Sequence, residues 1–407
     1  MPSDTSAPKA PTTSGYRDLL RNREFTGLYA GFTLSATGST LSGFALATLV
    51  DHQTHSPFLT ALSMYGATFA TVLGALTLMS VADGRRPRRT IVSLQFASVV
   101  GVAAQAIPGL PLTARFGLLL MLGFFQSLGT GARMGLLAEV VANHAYASAR
   151  SLMNITSGGM AILGYAAGAV LLQYVSPQGV FAVAAVVTGV ELVVGAATVR
   201  EHSVRLTPRP GLRQTWRTNV ALFSRSGPRA LLLNLWVPNG LIVGCEALFV
   251  SYDPGNAGPL LAAGSAGMLL GDVTVGRLLT ADRRRRCAFA LRLLLAVPFL
   301  LFAVHPPVLV AAAAVFAASV GFAAALPLQE QLLEVTAGPV RGQVQGVESA
   351  GRMTWQGIGA AIAGGIAQFL APGAAMAAVA AVSVAVTVVS RPYVVRARTV
   401  GIDEAGA

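Results

Sequence analysis

The chain has 407 residues, 54% of them hydrophobic and only 11% charged, with a formal net charge of +12 and a mean hydropathy of +0.62. A soluble domain carries about 25% charged residues, so the composition excludes an ordinary soluble enzyme and points to a polytopic membrane protein. The positive charge does not read as nucleic-acid binding. The arginines fall in short segments between apolar runs rather than on one soluble face.

Residues 1–15, MPSDTSAPKAPTTSG, are polar and rich in Pro, Ser and Thr, and are expected to form a disordered tail. They lack a basic stretch followed by a short apolar one, so no cleaved signal is expected. A membrane helix needs roughly 20 mostly apolar residues. Twelve such spans follow, at 25–50, 58–81, 90–110, 115–138, 147–172, 178–198, 229–251, 258–280, 287–304, 307–332, 344–370 and 373–395. Short polar turns separate them. The longest connection, 200–227, divides a six-span half at 16–199 from another at 228–398, and a short tail at 399–407 closes the chain. The expected fold is an all-α integral membrane bundle of twelve helices in two pseudo-symmetric halves.

Basic residues are spread unevenly over the turns. One side carries Lys9, Arg17, Arg21 and Arg23; the cluster Arg85, Arg86, Arg88 and Arg89; Arg150; seven arginines between Arg200 and Arg229; Arg283 to Arg286; Arg341; and Arg391, Arg396 and Arg398. The opposite side carries only Arg115. The positive-inside rule then places both termini and the middle loop in the cytoplasm. Scarce Lys beside abundant Ala, Gly and Arg fits a bacterial cytoplasmic (inner) membrane. Cys245 and Cys287 fall near opposite faces, so no disulfide and no metal site are expected.

The chain repeats itself. At an offset of 195, Leu137, Glu139 and Val140 fall on Leu332, Glu334 and Val335, Gly164 on Gly359, Gln173 on Gln368 and Pro177 on Pro372. "ADGRR" at Ala82 recurs as "ADRRRR" at Ala281, at an offset of 199. Both halves start on the same side, so the repeat is parallel, as in one of the standard transporter architectures. Over Tyr16 to Arg398 the chain resembles the major facilitator superfamily. "YRDLLRNREFTGLYAGF" is similar to its amphipathic lead-in to helix one. "SVADGRRPRR" resembles its signature loop, usually G-x-L-A-D-R-x-G-R-R, with Met79, Gly84 and Arg86–Pro87 as departures. "GCEALFVSY", "GMLLGDVTVGRLL" and "ARMGLLAEVV" resemble the bacterial drug-efflux-type branch of macrolide and siderophore exporters.

Ionisable groups inside lipid are candidates for function. Glu246, Asp272 and Glu191 fall within spans seven, eight and six. A carboxylate removed from water exchanges its charge for a proton more readily than a solvated one, which proton coupling needs. The structural alternative is an acid paired with a nearby arginine, as Asp272 would be with Arg277 one turn on. Arg133, Arg292 and Arg352 are the cations at depth. The resemblance assigns a basic residue in helix four to proton coupling, and Arg133 occupies that place; snorkelling to the interface is the alternative. By the same resemblance Asp83 caps the start of helix eleven, and an arginine of its loop pairs with an acid ending helix four, for which Glu139 fits. Asp83, Arg85, Arg86, Arg88, Arg89, Glu139, Glu334 and Arg341 are thus inner-gate candidates. Exposed charge pairs contribute roughly 0–1 kcal/mol each, which suits a reversible latch. The superfamily's antiporter run in helix five is matched at Gly164 and Gly168 but not at Tyr165 or Ala169, and ordinary small-residue packing explains it equally well.

Tyr29, Phe32, Phe124, Phe125, Gln126, Asn234, Trp236 and Asn239 are the aromatic and amide residues at depth. They are candidates for an apolar cavity with a few polar anchors, with plain packing as the alternative. No P-loop is present, and all five histidines lie in loops, so neither direct ATP drive nor an intramembrane metal site is expected. No cofactor is called for. The expected activity is proton-coupled efflux of a small amphipathic molecule, a drug or secondary metabolite, by a monomeric antiporter of the antibiotic-resistance type. Uptake or facilitated diffusion of a polar solute, and a non-transporting receptor or scaffold, remain as alternatives.

Overall fold

A computed structural model describes residues 16–82, 87–141, 145–200, 217, 219–220, 222–336 and 341–403. The tail at 1–15, most of the middle loop, and Asp83, Arg85 and Arg86 lie outside the described residues. After a short lead-in helix at Tyr16–Arg21, twelve helical passes follow. They are α1 Arg23–Thr54, α2 (Pro57–Tyr65 continued as Ala67–Ala82), α3 Pro87–Gln105, α4 Leu112–Val140, α5 Tyr146–Tyr174 and α6 Pro177–Thr198. The second set is α7 Ser226–Tyr252, α8 Ala257–Leu278, α9 Ala281–Val304, α10 Val308–Glu334, α11 Arg341–Ile366 and α12 Pro372–Asp403. No strand occurs among the described residues.

The ends of these helices follow from local chemistry. Asn22 caps α1, its Oδ1 accepting from the Glu24 and Phe25 amides at 3.0 and 3.2 Å. Ser56 precedes Pro57, and Ser176 precedes Pro177, each accepting an amide of the first turn. His55 closes α1 in the left-handed region at φ 48°. Ten passes are long and apolar enough to cross a membrane on hydropathy alone. The other two, α3 and α11, carry Gln95 and, in α11, Glu348, Arg352 and Gln356.

The structure adds detail that the spans do not predict. α9 begins at Ala281, six residues before the expected 287, so the arginine run Arg283–Arg286 forms its first turns. Asp282 lies in that first turn, where a negative charge favours the helix dipole. α12 runs on to Asp403, past the expected 395. α8 ends in a π-helical turn, Thr274–Leu278.

Arg115, the lone arginine on its side, is fully buried. Its guanidinium donates to the carbonyls of Gln105 at 2.6 Å, Ile107 at 3.1 Å and Leu110 at 3.3 Å, closing the turn between α3 and α4. The exception to the charge asymmetry is therefore engaged in the turn itself rather than solvated.

The two sets of six meet along two seams, α2 against α11 and α5 against α8. Gly364 of α11 leaves room for Phe58, whose Cα a methyl there would meet at 2.8 Å. Gly258 of α8 does the same for the Tyr165 carbonyl of α5 at 3.0 Å. Small residues at such crossings let backbones approach. Two hydrogen bonds fasten the seam at the end opposite the termini. Ser251 donates to Asp51 Oδ1 at 2.7 Å, and Gln368 donates to Ser56 Oγ at 2.8 Å. The largest apolar core, with Phe249, Phe299 and Phe302 stacked, includes Phe44 and Ala47 of α1 and so joins the halves near this closed end.

Candidate functional site

Within the first half, against α11, lies a cavity of about 480 Å³, lined by α1 to α6 and by Met353 and Gln356 of α11. Its wall includes Phe32, Phe125 and Gln126, three residues the spans single out. It is more polar than aromatic spacing alone predicts, because Ser35, Thr40, Thr68, Thr71, Ser98 and Thr130 also face it. Thr40, Thr68 and Thr71 bond back to carbonyls of their own pass, Thr40 to Ala36 at 2.9 Å, which makes such hydroxyls tolerable in a membrane helix.

The charged centre of this wall is Glu191 of α6. Its Oε1 accepts from Arg133 Nη2 of α4 at 3.0 Å and from Gln95 Nε2 of α3 at 3.1 Å. Ser35 of α1 hydrogen-bonds to the same carboxylate. Four helices therefore converge on one buried acid. The pair is largely buried and meets the cavity mainly through Arg133, with side-chain exposures of 12% for Arg133 and 4% for Glu191. Arg133 also lies over the Phe32 ring, 5.6 Å from its centroid, a favourable cation–π placement. The long side chain points into the bundle rather than snorkelling to the interface.

Glu246 of α7 is buried at the closed end. Its hydrogen-bond partner is Tyr65 of α2, from the other half, and Tyr165 of α5 lies near enough to feel its charge. Among the described residues no cation pairs with it. Burying a carboxylate on one hydroxyl is costly unless the site can change its protonation or partner. Asp272 of α8 is exposed, and the cation acting on it is Arg352 of α11 rather than Arg277. Arg352 in turn donates to Glu348 at 3.1 Å, one turn away.

The remaining candidates are distributed. Asn239 accepts from Gln356 at 3.1 Å and so stands behind the cavity wall. Tyr29 hydrogen-bonds Thr156 at 2.6 Å, and Phe124 packs on Phe125 with centroids 6.4 Å apart. Trp236 donates to the Glu348 carbonyl at 2.9 Å. Asn234 lies inside the second half, where its Oδ1 accepts from Ser390 at 2.6 Å, and Ser390 accepts from Arg292 at 3.2 Å. Of the gate candidates, Glu334 pairs with Arg285 and Arg341 donates to the Thr336 carbonyl at 3.3 Å. Glu139 is half-buried near the end of α4. Arg88 and Arg89 are exposed at the start of α3, and Arg88 reaches α6.

Sequence reasoning missed Ser35, Gln95, Tyr65 and Asp51. A polar residue inside a span is the available signal, and Gln95 carries it; nothing in the sequence marks Tyr65 as the partner of an acid 181 residues away. Gly164 and Gly168 of the helix-five run face α1, where methyls would meet Thr40 at 2.8 Å and Phe44 at 3.0 Å. Close packing accounts for both.

Comparison with known proteins agrees with this architecture. Residues 28–253 match the family model described as Major Facilitator Superfamily. No curated protein sequence matches the chain. Among solved structures, a POT family transporter in complex with thioalcohol conjugated peptide aligns at TM-score 0.70 and 10% identity, covering 91% of this chain and 96% of the other. A peptide transporter POT in complex with sulfate aligns at TM-score 0.70 and 13% identity, covering 92% and 95%. A bacterial homolog to the human lysosomal transporter Spinster, inward-facing and unoccupied, aligns at TM-score 0.66 and 13% identity over the same shares.

Proposed function

From the premise that this chain belongs to the Major Facilitator Superfamily and is a membrane transporter rather than an enzyme, we propose that it exports a small amphipathic molecule by proton antiport. The observation that carries the reading is the pairing of one cavity, walled by the first half and α11, with two buried carboxylates in different settings. Glu191 sits in the cavity wall, compensated by Arg133. Glu246 sits at the closed seam with only a tyrosine hydroxyl from the other half. In this reading Glu246 carries the coupled proton: when the seam opens, Tyr65 leaves with α2 and the carboxylate meets water. Arg133 and Glu191 form the polar anchor for the solute, and Phe32 and Phe125 bind its apolar part. The halves rock about the cavity, with Asp51–Ser251 as one contact that must break. The charge asymmetry supports termini in the cytoplasm, with the closed end outside. The loop holding Asp83, with Glu139, would latch the opposite end.

The hydroxyl-rich wall favours one second reading, movement of a polar solute such as a zwitterion. The POT family neighbour in complex with a thioalcohol conjugated peptide supports that reading.

The test is flux in proteoliposomes under an imposed pH gradient, with a panel of lipophilic cations and of zwitterions. Export predicts gradient-driven movement of the lipophilic set, and Glu246→Gln should retain exchange while losing the response to the gradient. Movement of zwitterions alone would overturn the substrate class. Movement unaffected by both the gradient and the Glu246 change would overturn the coupling.

A further inference from the structure

On the lipid-facing side of the first half, α3 and α6 enclose a groove of about 710 Å³. Its charged mouth is formed by Arg88 and Arg89, and its floor by Phe96 of α3 and Val193 of α6. The stripe 88, 89, 92, 93, 96 follows one face of α3, so Phe96 lies about 10 Å further along the helix than Arg89. Phe96 is 60% and Val193 67% exposed.

The Arg88 guanidinium is held in place. Arg88 Nη2 donates to the Ala196 carbonyl at 2.8 Å across the groove. That carbonyl is free to accept because α6 ends at Thr198 and the Arg200 amide turns away to Glu24 at 3.1 Å. Among the described residues neither Arg88 nor Arg89 has a carboxylate partner. The nearest acid along α6, Glu191, is buried on the opposite face and taken by Arg133. The result is a pair of exposed positive charges, Arg88 anchored and Arg89 beside it, at the start of α3 and at the end of an open apolar channel.

We propose that this groove binds one anionic phospholipid, its phosphate on Arg88 and Arg89 and an acyl chain along Phe96 and Val193. A basic recess between membrane helices on the arginine-rich side is the chemistry that holds such headgroups. The occupant is a lipid rather than a free phosphate, because the floor is apolar. It is anionic rather than zwitterionic, because among the described residues the two cations have no acid to balance them.

Native mass spectrometry of the full chain, with equimolar phosphatidylglycerol and phosphatidylcholine of matched chains, tests this. Each surface arginine contributes enough for the wild type to retain phosphatidylglycerol by roughly tenfold or more. Arg88→Gln/Arg89→Gln should bring the ratio to near one. Phe96→Ala should lower retention of both lipids without changing their ratio. Arg283→Gln/Arg286→Gln, which removes two exposed arginines elsewhere on the same side, should leave the ratio intact. Glycerol phosphate, the headgroup without chains, should not compete. Equal retention of the two lipids by the wild type, the same loss in the Arg283/Arg286 variant, or full competition by glycerol phosphate would each overturn the proposal. A thermal melt of each variant separates loss of the site from loss of the fold.

Discussion

Arg133→Met is the sharpest perturbation of the cavity wall. Glu191 is 4% exposed and accepts from Arg133, Gln95 and Ser35. Methionine keeps the stem's packing but removes the positive charge paired with the acid, leaving a buried carboxylate on two neutral donors. Breaking a buried pair from one side costs about 3–5 kcal/mol. Glu191→Gln leaves the guanidinium 12% exposed, beside Phe32 and open to the cavity, so water can replace part of the lost bond. Its cost should be smaller, about 1–3 kcal/mol. The double change removes both charges and should return to within about 1 kcal/mol of the parent, because the pair's attraction mostly offsets its own desolvation. Chemical unfolding in detergent of all four proteins closes the cycle. Additive costs in the double variant, or an Arg133→Met cost no larger than that of Glu191→Gln, would refute the reasoning.

Three further outcomes are expected. Arg115→Met removes four charge-assisted bonds from the α3–α4 turn; it should destabilise by about 3 kcal/mol or more, with faster amide exchange at 105–115. A Cβ at Gly359 would run into the Gly240 carbonyl, so Gly359→Val should wedge α7 from α11 and lower stability by about 1–3 kcal/mol, read as a lower melting temperature. Asp51→Ala frees Ser251 and Thr60 and should loosen the closed seam, seen as faster amide exchange at 249–258 with little change in α3.

Much of the fold is legible because lipid permits few solutions. Backbone groups without water must be paired within helices, so apolar length gives the spans and arginine placement gives their alternation. The boundary of α9 was not legible, since a helix can begin in a run of arginines once the last turns reach water. The repeat also reaches further than its landmarks. Ser35 and Glu191 lie on α1 and α6, and Asn234 and Ser390 lie on the corresponding helices of the second half, α7 and α12. The structure gives each pair a matching place, Ser35–Glu191 in one half and Asn234–Ser390 in the other. A long cation enters each cluster by a different helix, Arg133 from α4 and Arg292 from α9. Position alone could not separate these roles, because Asn234, read as a cavity amide, and Phe125 look equally deep in sequence. Which face of a span meets the cavity depends on the packing of all its neighbours. The partners of Glu191 and Glu246 depend on it too, and they come from helices far apart in the chain.

The central claim is that one cavity opens alternately to the two sides of the membrane. Gln126 lies exposed on its wall. The direct measurement labels Gln126→Cys, in a background carrying Cys245→Ser and Cys287→Ser, with a membrane-impermeant maleimide applied to either face of sided proteoliposomes. Alternating access predicts labelling from both faces, with the rate from one rising as the rate from the other falls when the pH gradient is reversed. Labelling from a single face under every gradient, or from both faces without that reciprocity, would contradict the account.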